Sequence, residues 1–386
     1  MSAYLDHAAT TPMRPEALEA MLPALGDLFG NPSGGHRVAR RAQRLVDDAR
    51  EDLADALGAH PGELIFTSGG TEADNLAVHG QREGRRVLCS AVEHHAVLDP
   101  VLLAGGEIVP VTEAGLVDLD ALAAALDPSV ALVSVMLANN EIGTVQPLAA
   151  VAELVRRHAP NARLHTDAVN AFSWADVASA ASGADLISVS AHKFGGPKGV
   201  GALVARRGVQ LSPLLVGGGQ ERERRAGTPN VAGIVAMAAA ARVTVESRDQ
   251  MVATIAARRD RLVDGLLTAL PGTVETAVVA GSRAHKVAAS GHLCFPGVES
   301  EALLFLLDRE NISASAASSC ASGAIQTSHV LLALGVPPDL AKGAVRLSLG
   351  WSTTDAEIDH ALAVIPDSVR RLQSHAAQRP MVGARS

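Results

Sequence analysis

The sequence predicts a three-layer α/β domain, a mainly parallel sheet between helices, joined to a smaller α+β domain. Three observations lead to this class. Short apolar runs alternate with helical patterns through about the first 250 residues, as in a succession of right-handed βαβ units. Five of those runs end in polar residues, which such a sheet would gather along one edge. Beyond about residue 250 the pattern changes.

The first clear helix spans 37–57, where Val38, Leu45, Val46, Ala49, Leu53 and Leu57 fall near helical spacing with charges on the opposite face. Strands are expected at 63–67, 86–90, 107–111, 130–137, 162–166, 185–190 and 200–205. Several are apolar on both faces, which suits parallel strands buried beneath helices. The first run leads into Ser68-Gly69-Gly70-Thr71-Glu72 and the second toward Glu93-His94-His95. Later runs deliver Asn139-Asn140-Glu141, then Asp167, then Ala191-His192-Lys193. Open α/β sheets bind ligands at the carboxyl ends of their strands, so these groups should share a crevice. Past residue 250 a helical stretch at 255–270 leads to a strand around His292-Leu293-Cys294-Phe295 and a helix at 299–310. A small-residue loop around Cys320 follows, and a strand and helix close the chain near 345–365.

Composition narrows the possibilities. A chain of 386 residues has room for about two to three domains. With 48% hydrophobic and only 2% aromatic residues, its core must be built from Ala, Val and Leu. A net charge of −8 argues against general affinity for nucleic-acid backbone. The basic tail (Arg370, Arg371, Arg379, Arg385) reads as a solvated end. Cys89, Cys294 and Cys320 are odd in number, widely spaced and free of any CxxC pattern, so neither a disulfide framework nor a structural zinc site is expected. Free thiols point to a reducing cytoplasm. The start of the chain has no basic or apolar leader pattern, and the run 231–241 is shorter than the roughly 18 residues of a membrane span.

Several groups could do chemistry in the crevice. Glycines after a strand allow close backbone approach, and the next helix offers free N–H groups for a phosphate, with Thr71 as a further donor. A plain strand–helix turn would look similar. Asp167 ends an apolar run and must pair with something: a protonated pyridine nitrogen, or simply a structural ion pair or cap. Lys193 is followed by Gly195-Gly196-Pro197, a rigid turn rather than a solvated face. A crowded lysine loses pKa and becomes competent to form a Schiff base. His94, His95, His165 and His192 raise a metal reading, but no ligand-spaced cysteine or HExxH pattern supports it. Cys320 lies in Ala316-Ala317-Ser318-Ser319-Cys320-Ala321-Ser322-Gly323, too small to pack a core, so a mobile loop presenting its thiol is expected. Cys89 and Cys294 sit inside apolar runs and read as inert.

On these residues the chain resembles the cysteine desulfurases of the NifS/IscS type, within fold type I of the pyridoxal-phosphate enzymes and the class V aminotransferase group. The likeness runs from Tyr4-Leu5-Asp6-His7-Ala8-Ala9-Thr10-Thr11-Pro12 to Arg346-Leu347-Ser348-Leu349-Gly350. It includes Phe29-Gly30-Asn31-Pro32-Ser33, Asn139-Asn140-Glu141-Ile142-Gly143 and Gly217-Gly218-Gly219-Gln220-Glu221-Arg222. The resemblance implies a large domain over 15–250 with a mainly parallel seven-stranded sheet. It also implies a small α+β domain, from 1–14 and 251–386, that carries the cysteine loop.

For the site, the resemblance implies pyridoxal 5′-phosphate held by Lys193, which also shuttles protons. Asp167 would keep the ring nitrogen protonated and His94 would stack on the ring. Gly70, Thr71, Ser190 and His192 would hold the phosphate, joined by Thr228 of the neighbouring subunit in a homodimer. Asn140, which also touches the cofactor, and Arg346 would bind the substrate carboxylate. Cys320 would take sulfur from L-cysteine as a persulfide, leaving L-alanine. Continuation of the loop into Ser328-His329-Val330-Leu331 matches the group that passes sulfur to a separate acceptor protein. Iron–sulfur cluster assembly, tRNA thiolation, DNA phosphorothioation and natural-product synthesis are all open as destinations. Two positions depart from the family pattern. Asn170 stands where a glutamine usually lies beside the ring oxygen, one methylene shorter. Ala316-Ala317-Ser318-Ser319 replaces Ser-Gly-Ser-Ala, and losing that glycine stiffens the loop. A selenocysteine lyase or related β-lyase on the same fold is the alternative activity, and an idle scaffold the alternative outside enzymes.

Overall fold

The computed structural model describes residues 2–81, 85–316 and 327–378, with side chains as far as residue 375. Its strands are β1 (Ala3–Tyr4), β2 (Leu64–Thr67), β3 (Arg86–Ser90), β4 (Glu107–Val109), β5 (Val130–Ser134) and β6 (Arg163–Asp167). They continue with β7 (Leu186–Ser190), β8 (Gly201–Ala205), β9 (Val274–Glu275), β10 (Ser290–Cys294), β11 (Ile312–Ser313) and β12 (Ala344–Ser348). The main sheet has seven strands in the order β2-β8-β7-β6-β5-β3-β4. Its neighbours run parallel except at β8, which is antiparallel to both β2 and β7. The reversal has a simple cause. Residues 191–200, which connect β7 to β8, are too few for the helical crossover a parallel return requires.

Alternate residues of these strands feed different cores. Leu64, Phe66, Val133, Ile187 and Val204 face one layer of helices. Ile65, Leu132, Leu186 and Leu203 face the other. That is the two-residue period of a strand buried on both sides. On the first face the helix Val231–Ala269 packs against the helices Pro15–Leu25 and Arg37–Ala56. Ala236, Ala240, Ala241, Ala42 and Ala49 all belong to the core of this layer, where small side chains let helices approach closely. The second face is covered by the helices Gly70–Gln81 and His95–Leu103.

A second core gathers Leu262, Val263, Leu266, Leu293, Val345, Leu347, Ile358 and Ile365. Its sheet is antiparallel, in the order β12-β10-β9. Ala3 and Leu5 join this core, because β1 pairs with β11 and Ser348 N donates to Leu5 O. The helical stretch expected at 255–270 is the second half of one helix, Val231–Ala269. No proline interrupts it, and no glycine falls between Gly233 and Gly265. The strand expected at 107–111 stops before Pro110, which lacks the N–H needed to continue the ladder. The run expected at 130–137 is a strand only to Ser134, yet Val135 N and Leu137 N still bond to His165 O and Asp167 O.

Candidate active site

β7 ends at Ser190, and Ala191–Lys193 forms a tight 3-10 turn. This turn is pinned on several sides. Thr11 Oγ1 donates to His192 O at 2.8 Å, Ser173 Oγ to Lys193 O at 3.2 Å and Thr244 Oγ1 to Phe194 O at 3.1 Å. Gly195 has φ +88°, and a Cβ there would lie 2.4 Å from Arg14 Cγ, so the turn tolerates only glycine. Phe172 and Phe194 pack with tilted rings, centroids 4.4 Å apart, and both are buried. Lys193 thus stands at the end of a firmly held support.

The Lys193 amine donates to Ala9 O at 3.0 Å and to Ala8 O. Burial, then the Arg346 charge, lowers its pKa to about 8, against the pull of Asp167 and Asp6. Asp167 closes β6. Its Oδ1 accepts from Val169 N at 2.8 Å, and burial raises its pKa to about 6 despite that bond and the Lys193 charge. The two groups line one cavity of about 300 Å³ with Ala9, Gly70, Thr71, Asp74, His94, Met136, Asn140, Val169, Asn170, Ser190 and His192.

At one end of this cavity the helix Gly70–Gln81 begins. Its first N–H groups have no partner within the helix, a setting that favours an anion. A Cβ on Gly70 would stand 2.8 Å from Val169 Cγ2, and one on Gly201 would meet the Gly69 backbone at 2.7 Å. The turn is therefore a close-packed backbone cradle. His94, also in the lining, caps the helix His95–Leu103, its Nδ1 accepting from Ala96 N at 3.1 Å. Crowding by the surrounding protein, then the Lys193 charge, lowers the His94 pKa to about 4. A neutral ring with Nδ1 accepting carries its proton on Nε2. The residue is still exposed toward solvent, because part of its surface is cavity wall.

Asn140 and Asn170 reach the cavity from neighbouring turns, and Asn170 Nδ2 donates to Asn139 O at 3.1 Å. Arg346 does not line it. The buried guanidinium lies behind, with Nη1 donating to Asn140 O at 3.0 Å and Nη2 to Asp6 Oδ1 at 2.8 Å. Thr228 is exposed and also outside the lining. Cys320 and the changed stretch Ala317-Ser318-Ser319 lie outside the described residues. Cys89 and Cys294 are buried, which pushes both thiols up, Cys294 to about 12. Among the described residues no group of three or more His, Cys, Asp or Glu could hold a metal ion.

Sequence reasoning missed Asp74, and it expected Glu93 in the crevice, whereas Glu93 is buried outside the cavity lining. Asp74 follows Gly70 by one helical turn and so points to the same cavity. Burial and then Asp167 raise its pKa well above the usual carboxylate range. Glu93 accepts from Met136 N at 2.6 Å and Ser90 Oγ at 2.9 Å, and burial raises it to about 8. The four-residue spacing from Gly70 was the available signal for Asp74.

The donor set suits pyridoxal phosphate. A backbone cradle at a helix start fits a phosphate, a buried carboxylate fits a protonated ring nitrogen, and a lysine of lowered pKa fits an aldehyde. Residues 3–361 match the model of the class-V aminotransferase family. The chain is 44% identical over 385 residues to an IscS-like cysteine desulfurase of Mycobacterium tuberculosis, covering 96% of each. It is 40% identical to a cysteine desulfurase IscS of Methanosarcina thermophila, covering 98% of this chain and 95% of that one. Among solved structures, a NifS-like protein superposes with a TM-score of 0.88 at 34% identity, over 96% of this chain and 100% of that one.

Proposed function

Because the chain belongs to the class-V aminotransferase family and is a cysteine desulfurase, we propose that its cavity binds pyridoxal 5′-phosphate on Lys193 and that Cys320 receives the sulfur. The substrate is L-cysteine, and the sulfur passes on to an acceptor. The observation that carries the site assignment is the shared cavity of Lys193 and Asp167, with the Gly70–Thr71 helix start at its end.

When bound, the cofactor supplies an aldehyde for amine capture and a ring that accepts electrons. The chain supplies the rest. Asp167, one oxygen already fixed by Val169 N, would hold the ring nitrogen as a carboxylate. Gly70, Thr71, Ser190 and His192 would hold the phosphate, and Asn170 would serve the ring. His94 would offer its Nε2 proton from the cavity lining. The Asn140 side chain orients the substrate carboxylate, and Arg346 exchanges its Asp6 partner for that carboxylate. The Lys193 amine takes the substrate's Cα proton and returns protons as the carbon–sulfur bond breaks. The Cys320 thiolate attacks the substrate sulfur, an S–S bond forms, and the electron pair of the C–S bond goes to carbon, which is protonated to give L-alanine. Oxidation of the two sulfurs balances reduction of the carbon, so no outside oxidant is needed.

Thr228, exposed in the single chain, is assigned to the phosphate of a second subunit in a homodimer, and exposed Leu214, Leu215 and Val216 nearby in sequence suit a covered surface. The large domain is assigned to 15–250 and the small one to 1–14 with 251–386. This division follows the two cores and cuts the long helix between its two buried ends. Among the described residues no helix is long and apolar enough to cross a membrane.

The test uses two variants. Lys193→Ala should lose both the visible absorbance of bound cofactor and alanine production from cysteine. Cys320→Ser should keep the absorbance yet form no protein persulfide. Parent-like turnover in Lys193→Ala would end the assignment.

A further inference from the structure

Both ends of the stretch bearing Cys320 are fastened to one turn. On the entry side Ser315 pairs with Arg346 through two backbone hydrogen bonds, Arg346 N to Ser315 O at 2.7 Å and Ser315 N to Arg346 O at 3.3 Å. The Arg346 side chain then donates to Asn140 O. On the exit side Ser328 Oγ donates to Glu141 Oε2 at 2.8 Å and accepts from Val330 N at 3.1 Å as the cap of the helix His329–Ala333. Entry and exit thus converge on consecutive residues, Asn140 and Glu141.

Glu141 is an expensive residue to keep there. It is buried, and its Oε1 has no hydrogen-bond partner among the described residues, lying 3.7 Å from an equally unpartnered His292 Nε2. A buried carboxylate so thinly satisfied is destabilising and calls for a reason. Packing alone would be served by an apolar side chain. The bond to Ser328 is what the carboxylate does.

We propose that Glu141 is a positioning residue for sulfur transfer, holding Ser328 so that the chain leaving Cys320 is anchored on the turn that presents Asn140 to the substrate. This rests on the reading of Cys320 as sulfur acceptor. His329 adds a second stitch on the exit side, its Nε2 lying 2.9 Å from Glu93 O beside His94.

The experiment compares holoenzyme variants Glu141→Leu, Glu141→Gln and Ser328→Ala. Two quantities are followed: iodoacetamide alkylation of Cys320, read by mass spectrometry, and steady-state turnover of cysteine. Loss of that buried bond should make Glu141→Leu and Ser328→Ala alkylate about tenfold faster and turn over about tenfold more slowly, with KM and cofactor absorbance little changed. Glu141→Gln keeps an acceptor of the same shape and should recover most of the parent behaviour. The double variant Glu141→Leu/Ser328→Ala should be no worse than either single. Parent-like alkylation and kcat in Ser328→Ala would overturn the proposal, even where Glu141→Leu fails to fold. A defect in Glu141→Leu without one in Ser328→Ala would overturn it too. Retained turnover in Cys320→Ser would instead sink the acceptor reading, while alkylation would still report on the anchor.

Discussion

The Lys193 amine carries a depressed pKa because it sits in a crowded cavity with the Arg346 charge behind it. An amine attacks an aldehyde only when unprotonated. Capture of pyridoxal phosphate by the apoprotein should therefore accelerate as pH rises through about 8 and level off above it. Stopped-flow absorbance would follow this, and a profile climbing to the ordinary lysine value would contradict the burial. Much of the site was legible at this scale. Gly70, Thr71, His94, Asn140, Asp167, His192 and Lys193 follow strand ends that the sheet gathers along one edge, while Asn170 and Ser190 entered through the family resemblance. Arg346 was harder to place, because its partners Asp6 and Asn140 come from distant parts of the chain. Asn170 shows a finer limit. Its amide is already engaged with Asn139 O, which the one-methylene difference from glutamine did not reveal.

Among the elements, the segment before Thr228 shows what sequence patterns conceal. Glu221, Arg222 and Glu223 all have left-handed backbone, with φ of 48°, 56° and 65°, a conformation costly for residues other than glycine. It is held by a buried ion pair. Glu221 Oε1 lies 2.6 Å from Arg50 Nη2, while Glu221 Oε2 accepts from Phe66 N at 3.0 Å. Arg50 also stacks over the Phe66 ring at 4.5 Å. Nothing local in Gly219-Gln220-Glu221-Arg222 announces this, since the partner lies on a helix far back in the chain. Removing one member strands the other's charge. Glu221→Ala should cost about 3–5 kcal/mol of unfolding free energy, read as a lower urea midpoint. Arg225, bonded to Glu72 at 2.8 Å beside the phosphate cradle, should lose order with it. Strands, by contrast, were easy to find, because two-sided burial writes a continuous apolar run into the sequence. Most of their ends fell within one residue of expectation, and the larger shortfalls came at Pro110 and after Ser134.

Over the whole molecule, the helix Val231–Ala269 belongs to both hydrophobic cores. Ala236 to Ala241 lie in the first and Ile255 to Leu266 in the second. The pattern change near residue 250 was visible in the sequence, but it reflects a change of packing partner rather than a break in the element. Two cores sharing one rigid member should melt together. The apoprotein is expected to give a single calorimetric transition whose calorimetric and van't Hoff enthalpies agree. Placing proline at exposed Gln250, between the two buried stretches, should interrupt the helix at a cost of about 3 kcal/mol or more and separate the transition into two. Two transitions in the parent would show that the helix does not couple them.

That shared spine also bears on how this enzyme could be adapted to other amino acids. The angle between its halves is fixed once the helix forms, so the width of the crevice is not a free variable. Accommodating a bulkier substrate would fall to the side chains that line it, with Asn170 the natural place to begin.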